Sequence, residues 1–117
     1  MTGSDFLKAL TATVEIDLIV TGRKSGRTSS RPVWFVQEEK KLYLLPVAGS
    51  NTSWFKNILA NPTIQITVQG KILTAKSIPI TEQDKVKVIV EKFKKKHGLE
   101  EIKKYYTNLD VAVEMFL

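Results

Sequence analysis

The sequence predicts a small, mainly β-protein with some helix, built on an antiparallel sheet or a small closed barrel. The chain has 117 residues, the size of one domain, and no linker or repeat divides it. Six short apolar runs have the alternation or the β-branched and aromatic composition of strands. Most are joined by about a dozen residues or fewer, too few for the crossovers of a parallel sheet. A closed barrel also removes the exposed edges of such strands.

The first three strands lie in the N-terminal half. The first is predicted over Thr13 to Thr21, where apolar and polar side chains alternate. Its apolar face consists of Val14, Ile16, Leu18 and Val20. A polar loop, Gly22 to Ser30, follows. The second and third strands, Pro32 to Gln37 and Leu42 to Val47, are joined by four charged residues and predict a hairpin.

A short helix is predicted between the third and fourth strands. The segment Ser53 to Ala60 has helical spacing of its apolar residues, a Ser or Thr as N-cap, and Asn61-Pro62 as its end. The fourth strand covers Ile64 to Val68. After Gln69-Gly70 the chain is predicted to continue as one fifth strand, Lys71 to Ile80, which completes a second hairpin.

A helical pair is predicted before the last strand. Thr81 to Asp84 resembles a capping box, and the helix after it ends at Gly98. A second, shorter helix is predicted over Leu99 to Tyr106. The sixth strand begins at Val111 and alternates to Leu117.

Composition excludes several classes of site. Eighteen Lys and Arg against twelve Asp and Glu give a net charge of +6, which favours an anionic partner. With no cysteine and one histidine, a thiolate or multi-histidine metal centre and a Ser-His-Asp triad are disfavoured, and no metal site is predicted. We found no secretion signal and no apolar run long enough for a membrane span, and therefore expect a cytoplasmic protein. A chain this poor in catalytic side chains is expected to take its reactivity from a cofactor.

The densest polar cluster is the loop after the first strand. It holds Arg23, Lys24 and Arg27, with Arg31 shortly after, beside two glycines. Arginine presents a planar fork to phosphate oxygens, lysine a point charge, and Ser25 a hydroxyl donor. A phosphate site is one interpretation, and a solvated basic turn is the other.

A second cluster runs from the end of the third strand into the first helix. Its small residues, Ala48, Gly49 and Ser50, leave room for a flat ligand, and a helix N-terminus can bind negative charge. Trp54 and Asn57 share a face near that terminus. The alternative is that Trp54 is a core aromatic. If Gly49 has a negative φ, Gly49→Val is expected to block the pocket by bulk.

The predicted C-terminal helices contribute the remaining candidates. The lysine run at 92–96 is interpreted mainly as a solvated helix face, with attraction of a polyanion as the minor alternative. His97 is interpreted as a partner of the helix dipole. Tyr105 and Tyr106 precede the last strand, and one of their hydroxyls is a candidate for facing a site.

Taken in order, these motifs resemble a known family. The order is Thr21-Gly22-Arg23-Lys24-Ser25-Gly26-Arg27, Pro32, Gly49-Ser50, Trp54-Phe55-Lys56-Asn57, Ala60-Asn61-Pro62 and Gly70. Over about Thr13 to Ile80 the chain resembles the deazaflavin (coenzyme F420)-dependent nitroreductase and quinone reductase family of the split β-barrel, flavin-reductase-like superfamily. TGRKSG together with WxxNxxxNP is much more specific than either motif alone.

The resemblance implies one cofactor-binding domain over residues 1–117, a six-stranded antiparallel split barrel. It implies an oxidoreductase that binds F420 and transfers its hydride to a small quinone-like or nitroaromatic acceptor. By position, the cofactor phosphate would be held by Arg23, Lys24, Ser25, Gly26 and Arg27. Pro32 and Val33 would line the deazaflavin ring. The pocket would be closed by Ala48, Gly49, Ser50, Trp54 and Asn57. Candidate proton donors are Ser50, Tyr105 and Tyr106.

Two departures from the family pattern concern the substrate side. The loop before Trp54 is short, and Leu109 stands where many members carry arginine. Alternatives are an FMN-binding split-barrel reductase, a non-catalytic cofactor carrier and, more distantly, a nucleic-acid-binding barrel. Because the basic residues cluster in one loop and one helix, nucleic acid is disfavoured. Split barrels often form homodimers, so a dimer is possible. Trp34 is expected to respond less than Trp54 to a bound cofactor.

Overall fold

A computed structural model describes residues 8–117, which form seven strands, three complete helices, one 3₁₀ turn and a short helical segment at 8–11. The strands are β1 (Glu15–Thr21), β2 (Thr28–Glu38), β3 (Lys41–Leu44), β4 (Thr63–Val68), β5 (Lys71–Lys76), β6 (Ile78–Ile80) and β7 (Ala112–Phe116). The helices are α1 (Ser53–Ala60), α2 (Gln83–His97) and α3 (Leu99–Tyr105), and the 3₁₀ turn is Gly49–Asn51. None of these helices is long and apolar enough to cross a membrane.

Every strand pairing among these residues is antiparallel, in the order β5-β4-β1-β2-β3-β7-β6. The two outermost strands, β5 and β6, are consecutive in the chain and separated by Ser77 alone. Two opposite edges of one sheet can be this close only if the sheet curls back on itself. The prediction of a mainly β, antiparallel barrel with a helix between the third and fourth strands and a helical pair before the last is confirmed.

The strand count is seven rather than the predicted six, because the segment 71–80 divides at Ser77. This residue is buried, and both its backbone N–H and its hydroxyl donate to the Pro62 carbonyl oxygen at 2.8 Å. Before Ser77 the chain pairs with β4, and after it Ile80 pairs with Ala112 of β7. Alternating apolar residues continue through this point, so periodicity alone did not reveal the change of partner.

Two apolar cores lie on opposite sides of the sheet. Alternate residues of β1 and β4, such as Leu18 and Ile66, point into the barrel, where they pack with Trp54, Phe55 and Ile58 of α1. The second core joins α2 and α3 to the outer face of β2, β3 and β7. Its members include Val36, Tyr43, Val90, Phe93 and Ile102. Helices therefore pack against both faces of the sheet.

Some local predictions were wrong. The strand β2 begins at Thr28, so the polar loop ends earlier than the predicted Ser30. The capping box does not form, because Glu82 is the N-cap of α2 and makes no side-chain cap hydrogen bond. Val14 is exposed although it continues the apolar alternation of β1. Thr28 to Ser30 pair with Ile19 to Thr21 of β1. This pairing is made by backbone hydrogen bonds and does not require apolar side chains, which explains the longer β2.

Candidate functional site

The barrel is split between β2 and β3. β2 pairs with β1 over Thr28 to Trp34 but with β3 only from Phe35 onward. Beyond Leu44 the chain leaves β2 and turns into the 3₁₀ turn. Within the described residues, the edge of β2 at 31–34 that faces away from β1 therefore has no strand partner. Unpaired backbone groups at such an edge are available to a ligand.

A cleft of about 340 Å³ lies at this split. The unpaired edge of β2 contributes Arg31, Pro32, Val33 and Trp34, and the chain beyond β3 contributes Leu45 and Val47. Glu15 of β1, Trp54 of α1, and the two tyrosines at the end of α3 complete the lining. Aromatic and aliphatic side chains with few charges are typical of sites for flat organic ligands.

Tyr105 and Tyr106 bring two hydroxyl groups to the cleft. Tyr105 is 48% exposed and Tyr106 only 8%. Burial raises the pKa of Tyr106 to about 12, so its hydroxyl keeps its proton at neutral pH. That hydroxyl has no protein partner among residues 8–117, yet no polar side-chain atom there is both fully buried and unpaired. Because Tyr106 lines the cleft, this hydroxyl is a candidate hydrogen-bond donor there.

The basic loop between β1 and β2 is a compact turn. The Gly22 N–H donates to the Arg27 carbonyl oxygen at 2.7 Å, and the Gly26 N–H donates to that of Gly22 at 3.0 Å. Gly26 has a φ of +70°, which a residue with a side chain adopts only at a cost. Ser25 Oγ accepts the Arg27 N–H at 3.2 Å. The turn holds the exposed side chains of Lys24 and Arg27 on a short, closed stretch of backbone.

Asn57 attaches this loop to α1. Its side chain is buried, and its Oδ1 accepts the Arg23 N–H at 3.1 Å and Arg23 Nη1 at 2.6 Å. Arg23 Nη1 also lies 3.4 Å from the Ser53 carbonyl oxygen. The sequence analysis placed Arg23 on a phosphate and Asn57 at the pocket wall. In the structure the two side chains bond to each other and fix the loop.

A second cavity, of about 300 Å³, lies between the loop and α1. It is lined by the loop residues Gly22, Arg23, Lys24, Ser25 and Arg27, by Thr28 and Ser29 of β2, and by Ser53 and Asn57 of α1. Ser29 of this cavity and Arg31 of the cleft pair with Val20 and Leu18, so they share one face of β2 about 7 Å apart. The basic loop and the aromatic cleft thus adjoin along a strand and a helix that they share.

Three residues predicted to close the pocket line neither cavity. Ala48, Gly49 and Ser50 face Asn108 and Asp110 instead. Ser50 donates its N–H to Asp110 Oδ1 at 2.9 Å and its hydroxyl to Oδ2 at 2.6 Å. Gly49 has a φ of +57°, and a Cβ there would lie 2.0 Å from Asp110 Oδ1. The negative φ on which the Gly49→Val test depended is absent.

Trp34 is a residue of the cleft that sequence reasoning undervalued. It lines the same cleft as Trp54, so its use as a weakly responding control is unsuitable. Its ring stacks on His97 with centroids 4.7 Å apart and planes 8° from parallel. The dipole interpretation of His97 did not include this stack. Only the tertiary pairing of β2 with α2 reveals this contact.

The chain is similar to several known proteins. The family model of the F420H(2)-dependent quinone reductases matches residues 6–114. A solved F420-H2 dependent reductase is 20% identical, with a TM-score of 0.67 over 87% of this chain and 93% of its own. A FAD-binding protein from Mesorhizobium loti is 16% identical, with a TM-score of 0.72 over 100% and 90%. A chain described as a domain-swapped dimer is 18% identical, with a TM-score of 0.67 over 97% and 99%.

The structural neighbours, at these identities, show the split-barrel fold alone. The family model adds more, because it spans nearly the whole chain, including the loop, the cleft and the C-terminal helices. On that match, the chain belongs to the F420H2-dependent quinone reductase family, a family of oxidoreductases.

Proposed function

We propose that this protein binds coenzyme F420 and transfers its hydride to a small quinone-like or nitroaromatic acceptor. The observation that carries the proposal is the adjacency of the basic loop and the aromatic cleft along β2 and α1, which contribute residues to both. F420 has a phosphate on a chain attached to a flat deazaflavin ring, so it needs both environments a short distance apart.

The basic loop fits the phosphate. Lys24 and Arg27 supply two cations, and Ser25 and Ser29 add hydroxyl groups in the same cavity. Among residues 8–117, the backbone N–H groups of Lys24 and Ser25 donate to no acceptor, so they remain available to an anion. Charged donors and backbone N–H groups on a glycine-containing turn are a recurrent phosphate environment. Arg23 contributes through Asn57, by holding the turn against α1.

The cleft fits the ring. Pro32 and Val33 present an apolar strand edge, and Trp54 presents a buried indole. When bound there, F420H2 supplies a hydride to the acceptor. The protein's own contribution would be to hold the ring with one face toward the acceptor and to keep water out of the cleft.

The acceptor side needs a proton donor, because a quinone that receives a hydride must gain one proton to become a hydroquinone. Ser50, one of three candidates, already donates its hydroxyl to Asp110. Tyr105 and Tyr106 line the cleft, and Tyr106 stays protonated at neutral pH. We propose Tyr106 rather than Tyr105 because its side chain is buried and therefore held in one position beside the cleft. It acts there either as the donor itself or as a hydrogen bond that stabilises developing charge on the acceptor oxygen.

Parallel fluorescence titrations test the cofactor. Purified protein is titrated with F420, with FMN and with single-stranded DNA under the same buffer and salt. We expect saturable binding of F420, weaker binding of FMN and no saturable binding of DNA. Tighter binding of FMN would reverse the cofactor assignment, whereas DNA binding with neither cofactor bound would refute the proposed function.

Tyr106→Phe tests the proton donor. We expect kcat for menadione reduction to fall by about ten- to a hundredfold, since a positioned acid contributes about 10²–10⁴-fold and Tyr105 or water replaces part of it. F420 affinity should remain within about twofold, because the variant removes only one neutral hydroxyl. The check is steady-state kinetics with a cofactor titration on the same preparation. Tyr105→Phe serves as the matched comparison, and an equal loss in both variants contradicts the choice of Tyr106.

A further inference from the structure

The indole of Trp34 is enclosed by aromatic side chains from both C-terminal helices. His97, the last residue of α2, stacks on it with centroids 4.7 Å apart. From the end of α3, Tyr105 meets it edge-on at 5.5 Å, and Tyr106 lies tilted at 6.2 Å. Trp34 is thus both a lining residue of the cleft and the centre of a four-ring cluster.

His97 is itself held in place on three sides. Its Nε2 lies 3.1 Å from the Phe35 carbonyl oxygen, and its ring packs against Phe93 at 5.7 Å. A carbonyl oxygen only accepts, so Nε2 carries the proton of the neutral imidazole. The same oxygen accepts from Lys96 Nζ at 2.9 Å. Hydrogen bond, packing and stack together leave the imidazole one orientation.

We propose that His97 is a positioning residue, which holds the Trp34 indole as a fixed wall of the cleft. Its effect on ligands rests on the proposed function, but its effect on Trp34 does not. The stack covers one face of the indole, so the rest of the ring is what the cleft presents. Without the imidazole, the indole would lose its stacked contact with α2 and sample other rotamers.

The stack depends on the flat ring rather than on charge. Burial lowers the pKa of His97, and the neighbouring Lys96 lowers it further, against the raising effect of the Phe35 carbonyl. The titratable groups around the stack are Lys96 on α2, Tyr105 and Tyr106 on α3, and Glu15, which pairs with Trp34 across β1. A flat ring without charge should therefore substitute for His97, and a polar chain without a ring should not.

The first experiment measures Trp34 in the free protein. In a Trp54→Phe background Trp34 is the one tryptophan, so acrylamide quenching and emission anisotropy report on it alone. We expect His97→Ala and His97→Gln to raise the quenching constant by about two- to threefold. Loss of one aromatic stack shifts the balance between enclosed and open rotamers of Trp34 by about this factor. His97→Phe should keep the parent value. The matched control is Lys95→Ala, an exposed position on the same helix.

Rescue decides between the stack and the hydrogen bond. If His97→Gln restores the parent quenching and His97→Phe does not, the hydrogen bond to Phe35 holds Trp34, and the proposal is overturned. Parent quenching in all three variants overturns it as well. Circular dichroism and melting temperature identify any variant that has lost the fold, and His97→Phe then provides the comparison.

The second experiment separates the proposal from the proposed function. In the chain with both tryptophans, His97→Ala should raise the KM for menadione by about two- to tenfold with a smaller change in kcat, and His97→Phe should restore it. Altered Trp34 quenching in a protein that binds neither F420 nor FMN would refute the proposed function and leave the role of His97 intact. F420 binding with unaltered Trp34 quenching would do the reverse.

Discussion

Replacing Lys24 and Arg27 together by alanine is expected to weaken F420 binding by about tenfold to over a hundredfold. Each charge-assisted hydrogen bond to phosphate is worth about 1.5–3 kcal/mol. Both side chains are exposed in the loop, and no salt bridge involving them occurs in residues 8–117. The free energy of unfolding should therefore change by no more than about 0.5 kcal/mol. Fluorescence titration and thermal melts measure the two quantities.

Lys40→Ala with Lys95→Ala is the matched control, because it removes the same charge from exposed positions outside the loop. This pair should leave F420 affinity within about twofold of the wild-type value, because salt screens most of the long-range attraction between distant charges. An equal loss of affinity in both double variants would show that net charge, and not the loop, attracts the cofactor. Unchanged affinity in a folded Lys24→Ala, Arg27→Ala protein would remove the phosphate from this loop.

Arg23 is kept out of that pair because its substitution affects the fold. The sequence alone predicted that Arg23→Ala together with Lys24→Ala would barely move the melting temperature. In the structure Arg23 Nη1 donates to the buried Asn57 Oδ1, which also accepts the Arg23 backbone N–H. Arg23→Ala removes the side-chain bond and leaves this oxygen with the backbone N–H. Losing that bond costs about 1 kcal/mol and loosens the loop. Reduced affinity in Arg23→Ala would combine a lost cation with a displaced turn.

Much of the fold was readable from local pattern. The helix from Ser53 to Ala60 and the final strand each carry a clear period over several residues, and each occurs near its predicted bounds. The β2–β3 hairpin was predicted from β-branched and aromatic runs around a charged turn, although β2 begins and β3 ends earlier than predicted. The basic loop was readable for a similar reason, since glycine and cations between two strands indicate an exposed turn whatever the rest of the chain does.

The features that the sequence could not predict share one cause, which is that tertiary partners decide them. Ser77 divides a continuous alternation because the Pro62 carbonyl accepts from it, and Pro62 lies fifteen residues earlier. Trp34 lines the cleft because β3 ends at Leu44 and leaves the edge of β2 unpaired. The Ser50 hydroxyl, a candidate proton donor, bonds to the Asp110 carboxylate sixty residues away. No local window of sequence contains both members of such a pair.

Asp110 also sets the pH dependence expected of the 3₁₀ turn. Its carboxylate accepts the Ser50 hydroxyl and the Ser50 N–H, and these bonds lower the pKa of Asp110 from the ordinary value of an aspartate. A carboxyl whose pKa is lower in the folded state stabilises the fold above its unfolded pKa and loses that effect as pH falls through the folded value. Unfolding free energies measured below pH 4 should therefore decline more steeply in the wild type than in Asp110→Ala.

Gly49→Ala should produce the largest loss of stability among these variants, about 3–5 kcal/mol. A left-handed φ costs a residue with a side chain about 1–3 kcal/mol, and displacing the carboxylate forfeits hydrogen bonds worth about 1.5–3 kcal/mol. The added Cβ would lie 2.0 Å from Asp110 Oδ1, which therefore has to move. In an Asp110→Ala background the same change should cost less, about 1–3 kcal/mol. The backbone strain and the 2.9 Å approach to the Asn108 side chain remain there, but the displaced carboxylate is gone. Urea denaturation of the four proteins measures this cycle. An equal cost in both backgrounds would show that φ and the contact with Asn108 require glycine at this position, and that the carboxylate moves away from the new methyl group at no cost in stability.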